Sequence, residues 1–159
     1  MLQPPEKRKQ RVMLHVAGFD EDKFRELLLY VADKCADDRH FGATKLNKIL
    51  FFSDSIAYAS FGRPITSATY QKLDRGPGPK ELLPIQKQLV DNSEAVVVTQ
   101  KRFQYTQKRL MALRQPALDS FSAAEIALVD EVIQALQGHN AAQVSELSHA
   151  TASIYGWIL

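Results

Sequence analysis

The segment from Lys45 to Ser60 constrains this chain more than any other part of its 159 residues. Leu46, Ile49, Leu50, Phe52, Ser53, Ile56, Ala57 and Ala59 follow helical three- and four-residue steps, and Phe51 and Tyr58 widen the face they make. An ordinary surface helix carries one apolar stripe. A helix apolar over so much of its girth belongs at the centre of a core, with the rest of the chain wrapped around it. Thr44 is the expected cap at its start, and Gly62 its stop.

The flanking segments supply that wrapping. Asp20 can accept a first-turn amide and open a helix over about 21–35, where Phe24, Leu27, Leu28, Val31, Ala32 and Cys35 recur on one face. Residues 37–42 form a loop. Ile65, Thr66, Thr69 and Tyr70 favour an extended segment over 64–73. Arg75-Gly76-Pro77-Gly78-Pro79 reads as irregular, because proline lacks an amide hydrogen and glycine adds backbone freedom. A third helix covers roughly 80–90, with Pro84 loosening its first turn. Val96, Val97, Val98 and Thr99 mark a strand, and a second extended run over 106–113 makes a β-hairpin with it. Ser122-Ala123-Ala124-Glu125 is a capping box that opens a helix to about Gln137, and Gly138 ends it. Asn140 can cap a last helix over 141–150, before the apolar tail Ile154 to Leu159.

This order predicts an α+β fold, mainly α: a helical core with a small antiparallel β-sheet or three-stranded wing, in winged-helix-like order. Residues 18–159 suffice for one domain. Residues 1–17 read as a flexible arm, in which the alternation of Val12, Leu14 and Val16 also suits a short edge strand. No stretch reaches the ~20 apolar residues of a membrane span. The basic start lacks the apolar run of a signal peptide, so the expected location is the cytoplasm.

Familiar reaction chemistry finds no foothold. His15, His40, His139 and His149 are scattered, and with the single Cys35 they make no metal-ligand spacing. There is no Gly-x-Ser-x-Gly elbow. Gly76-Pro77-Gly78 lacks the Lys-Ser/Thr of a phosphate loop. The expectation is a non-enzyme without metal or cofactor.

Charge is distributed unevenly instead. All 20 Lys and Arg lie within residues 1–114 beside 13 of the 18 acids, giving +7; residues 115–159 carry the other five acids and no Lys or Arg, giving −5. Between Glu94 and Asp119 the hairpin region carries Lys101, Arg102, Lys108, Arg109 and Arg114 and no acid, with Phe103 and Tyr105 interleaved. Such a hairpin suits a nucleic-acid backbone with aromatic faces for bases. It equally suits an acidic protein partner, or a solvated strand edge protected from aggregation by its charges. Opposite charge on the two parts also suits a homo-oligomer.

Several short motifs, taken in order, resemble a known pattern. Thr44-Lys45-Leu46-Asn47-Lys48-Ile49-Leu50-Phe51-Phe52 resembles the opening helix of the Panacea domain. Gly62-Arg63-Pro64-Ile65, Arg75-Gly76-Pro77, Phe121 to Glu125, and Leu147-Ser148-His149 followed by Trp157 resemble its later elements. The resemblance implies a SocA-like antitoxin of a toxin–antitoxin pair. Such a protein binds a cognate toxin directly, and one type delivers it to a Clp-type protease. It also makes Lys45, Lys48, Arg75, Gly76, Pro77, His149 and Trp157 candidate partner contacts, beside Lys101, Arg102, Phe103, Tyr105, Lys108 and Arg109 of the hairpin. The alternative function is a winged-helix-like DNA-binding protein that regulates its own operon.

Overall fold

A computed structural model describes residues 18–102 and 104–144, with the side chain of Arg102 left out of the description. The proposed strand at 12–16, Phe103, His149, Trp157 and the apolar tail lie outside the described residues.

Helix α1 spans Glu21–Lys34, and Asp20 caps it by accepting a hydrogen bond from the Lys23 amide at 3.0 Å. Helix α2 spans Ala43–Phe61 and ends at Gly62, whose φ of 79° is the left-handed conformation a helix stop needs. The hairpin β1 (Tyr70–Leu73) and β2 (Gly76–Pro79) follows, then helix α3 (Leu82–Asp91). The longer hairpin of β3 (Ala95–Arg102) and β4 (Tyr105–Ala112) precedes helix α4 (Ala123–Leu136). Ser122 and Glu125 form the reciprocal capping box expected of them. Asn140 and Gln143 exchange hydrogen bonds at the start of a helical turn over 141–144.

The central role expected of α2 holds. It packs on α4 and β2, while β4 and α3 cover α1 and α3 also meets β3. Helix α1 is buried more widely than one stripe, since Leu29 and Tyr30 join Phe24, Leu27, Leu28 and Val31 in the core. Polar links tie α4 to α1: Lys23 pairs with Glu125 at 2.9 Å, and the Tyr30 hydroxyl donates to Asp130 at 2.6 Å. Cys35 is buried, and burial pushes its thiol up to about 12, so it behaves as a small apolar residue.

Three expectations need correction. Helix α2 is capped by Gly42 rather than Thr44, with no side-chain cap bond. Strand β4 lies over this helix start, and a Cβ on Gly42 would come within 2.9 Å of Gln107 Cγ. The strands do not join into a three-stranded wing; among the described residues they form two separate two-stranded antiparallel sheets. Finally, Gly76–Pro79 is a fully buried strand, not an irregular loop. Its register pairs Tyr70 with Pro79 and Leu73 with Gly76, and the Lys80 amide donates to Thr69 O at 2.8 Å. Strand alternation therefore turns the Gly76 and Gly78 amides toward β1 and leaves Pro77 and Pro79 on the opposite edge, where a missing amide costs no ladder bond. Pro84 follows the same logic as the third residue of α3, because first-turn amides have no partner within the helix.

Candidate functional site

The two motifs that suggested partner contacts meet inside the protein. Lys45 and Lys48, expected as candidate partner contacts, are each 1 % exposed and engaged inside the protein. Lys45 pairs with Asp38 at 2.8 Å, and Asp38 also accepts the His40 amide at 2.8 Å. Lys48 donates to the carbonyl oxygen of Pro77. Burial away from a compensating charge lowers the Lys48 ammonium to about 7. Beside this bond, a Cβ on Gly78 would come within 2.6 Å of Leu73 Cδ1 and 3.0 Å of Asn47 Cγ, so a larger residue there would have to displace both side chains. Lys48 and Pro77 thus form a latch that holds the first hairpin on the central helix, and with the buried Gly76 they offer a partner no surface.

A second internal site supports the same hairpin. Asp54, buried in α2, accepts from the Thr66 amide at 2.8 Å, the Thr66 hydroxyl at 2.6 Å and the Tyr70 hydroxyl at 2.6 Å. Burial raises its carboxyl above the usual range even though these three donors pull it down. The chain from Pro64 to Thr69 is consequently a buried loop shaped around Asp54, with Ser67 at a φ of 58°, and only Tyr70–Leu73 of the expected extended segment is a strand. Glu81 closes the hairpin by accepting the Thr69 amide at 3.0 Å.

Part of the basic hairpin is also turned inward. Arg109, 6 % exposed, donates to the carbonyls of Asp38 at 2.7 Å, Ala36 at 2.8 Å and Cys35 at 3.4 Å. A guanidinium there satisfies carbonyls at the negative end of α1, and Phe41 packs beneath it at 5.9 Å. Arg114 makes a two-pronged pair with Glu26, both contacts at 2.8 Å, and Glu26 also accepts the Ala117 amide at 2.7 Å. The Arg114 guanidinium holds the Glu26 carboxyl below its ordinary range. These bonds fasten the chain after β4 to α1.

Of the candidate residues left outside, Arg75, Tyr105 and Lys108 line one cleft. Arg75, Lys101, Tyr105 and Lys108 are exposed, Tyr105 by 47 %. Beside them a groove of about 460 Å³ runs between α2, the first hairpin, α3 and the second hairpin. Leu46, Leu82 and Leu110 are buried along it, and the exposed Leu73 and Leu83, the latter 71 % exposed, stand at its walls. Leu73, Leu83 and Val97 were not singled out as functional in the sequence. The signal was present in α3, where Leu82, Ile85 and Leu89 make the buried stripe and Leu83 stands off it. Among the described residues, no three His, Cys, Asp or Glu side chains group as metal ligands, and no helix is long and apolar enough to cross a membrane.

The described residues thus make a mainly helical scaffold in which buried polar groups hold the hairpins, with a groove on its outer face. The family follows from the sequence match: the model of the antitoxin SocA-like, Panacea domain covers residues 46–154, and the chain belongs to that family. No curated protein and no solved structure matches it.

Proposed function

We propose that this chain is a cytoplasmic antitoxin that neutralises a protein toxin by direct binding, without catalysis, metal or cofactor. Membership of the SocA-like Panacea family carries this reading and supports an antitoxin-type role. The groove supports the reading, since it offers apolar walls to bury with Lys80 and Lys108 among them. A stable complex buries about 1,200–2,000 Å² in total, so the groove would form the centre of a wider contact.

Co-expression with the product of the adjacent gene tests this. The expected result is restored growth and a complex that survives a pull-down. Unchanged toxicity and no complex would remove the support. The toxin's half-life with and without this chain separates simple sequestration from delivery to a Clp-type protease, which shortens it.

A second reading, binding to its own promoter DNA, draws on the exposed Lys101 and Lys108. It is weaker than the sequence suggested, because Arg109 and Arg114 are engaged internally. Promoter binding that falls steeply with salt and is lost in K101A/K108A would favour it.

A further inference from the structure

The groove does not end at the second hairpin. A smaller cleft of about 170 Å³ adjoins it, sharing Ala43 and Lys108 with it. Its wall holds Arg75, His40, Tyr105 and the first residues of α2. Three features give it positive character. Arg75 and Lys108 are exposed, and neither pairs with a carboxylate among the described residues. The start of α2 has no side-chain cap and no acid in its first turn, so the helix itself supplies nothing to offset its positive end, and the nearby Asp38 is paired with Lys45. Among the described residues, no Asp or Glu lines either the cleft or the groove.

The groove itself has a different chemistry. Leu46, Leu73, Leu82, Leu83, Val97 and Leu110 dominate it, and its cations are Lys80 and Lys108. The two compartments therefore ask for two kinds of side chain a short distance apart.

We propose that this continuous surface docks an acidic–apolar segment of the protein partner. Leucine-like side chains fill the groove, and an adjoining carboxylate sits in the cleft between Arg75, Lys108 and the start of α2. The proposal rests on the toxin-binding reading and specifies which part of a toxin is recognised. Charge complementarity fixes the sign of the occupant, and the aliphatic lining fixes its class. A nucleic-acid strand would need a row of cations and aromatic platforms along its path; the groove offers leucines instead.

The test uses the full chain and an unbiased probe, a random 12-residue peptide library displayed on phage. Selected peptides should carry Leu, Ile or Phe next to Asp or Glu. Their affinity should fall about tenfold or more for R75E/K108E, a loss typical of reversed interfacial charges, and also for L83S. Both variants change exposed residues, and an unchanged unfolding midpoint confirms that they fold. Basic consensus sequences, no enrichment at all, or binding indifferent to R75E/K108E would each overturn the proposal. So would displacement of the peptides by a 20-base-pair DNA duplex, which would assign the face to nucleic acid. Concentration-dependent dimerisation abolished by R75E/K108E would likewise overturn it, assigning the face to a second copy of the chain.

A growth assay keeps this separate from the toxin-binding reading. If the native chain neutralises its toxin and R75E/K108E does so equally well, the docking surface is wrong and the antitoxin reading stands. If the native chain itself fails to neutralise, the antitoxin reading fails.

Discussion

The two hairpins carry similar sequence signals and put them to opposite use. Both contain basic residues near a turn, and both suggested partner contacts. In β1–β2, Gly76 to Pro79 are all buried, and the hairpin is held from below by Lys48 and Asp54. In β3–β4, the strand ends near the turn remain exposed, with Lys101 on one strand and Tyr105 and Lys108 on the other. The difference lies in what each hairpin packs on. The first lies on the central helix, where a polar group must find a partner or incur a desolvation cost. The second touches the core through a few residues such as Ala95, Gln107, Arg109 and Leu110. Basic residues in one short stretch can therefore be structural and external by turns, and only packing separates them.

Breaking the support of the first hairpin should have the largest effect. D54A leaves the Thr66 amide and hydroxyl buried without their acceptor, while the Tyr70 hydroxyl keeps only the Leu50 carbonyl at 2.8 Å. A loss of about 3–4 kcal/mol in urea unfolding is expected. In the second hairpin, R109A strips a donor from three carbonyls at the end of α1 and should cost about 2–3 kcal/mol by the same measurement.

Lys48 sharpens the comparison through pH. Its folded pKa of about 7 lies below the ordinary lysine value of 10.5, so between these values the unfolded chain binds more protons than the folded one. Stability from this site therefore rises as pH climbs through that window. Against K48M, which cannot titrate there, the native chain should gain about 2 kcal/mol of relative stability between pH 6 and pH 9. Parallel pH profiles for the two proteins would show that Lys48 is not held this way. The smallest effect belongs to the exposed end of β3–β4. K101A/K108A should change stability by no more than about 0.5 kcal/mol while weakening capture of the toxin in a pull-down.

Much of the scaffold was legible because it depends on local chemistry. The apolar girth of α2, the Asp20 cap and the Ser122–Glu125 box each needs only a few neighbouring residues, and each has its structural counterpart. What escaped depends on partners far along the chain. Pro77 and Pro79 looked like strand breakers until the edge they face was fixed by pairing with β1. Lys45 and Lys48 read as partner contacts, but their partners are internal, Asp38 and the Pro77 carbonyl. Asp54 carried one faint signal, an acid set in a helix apolar nearly all round, but its donors lie 12 and 16 residues away. The groove was hidden for the same reason, since four separate elements supply its walls.

Amide hydrogen exchange of the chain, free and bound to its toxin, tests most directly whether the groove face does the binding. New protection is expected at Gln71 to Arg75, Leu82 to Gln86, Val97 to Lys101 and Tyr105 to Lys108, with α4 unchanged. Protection confined to the outer face of α4, with the groove exchanging as in the free protein, would contradict the account.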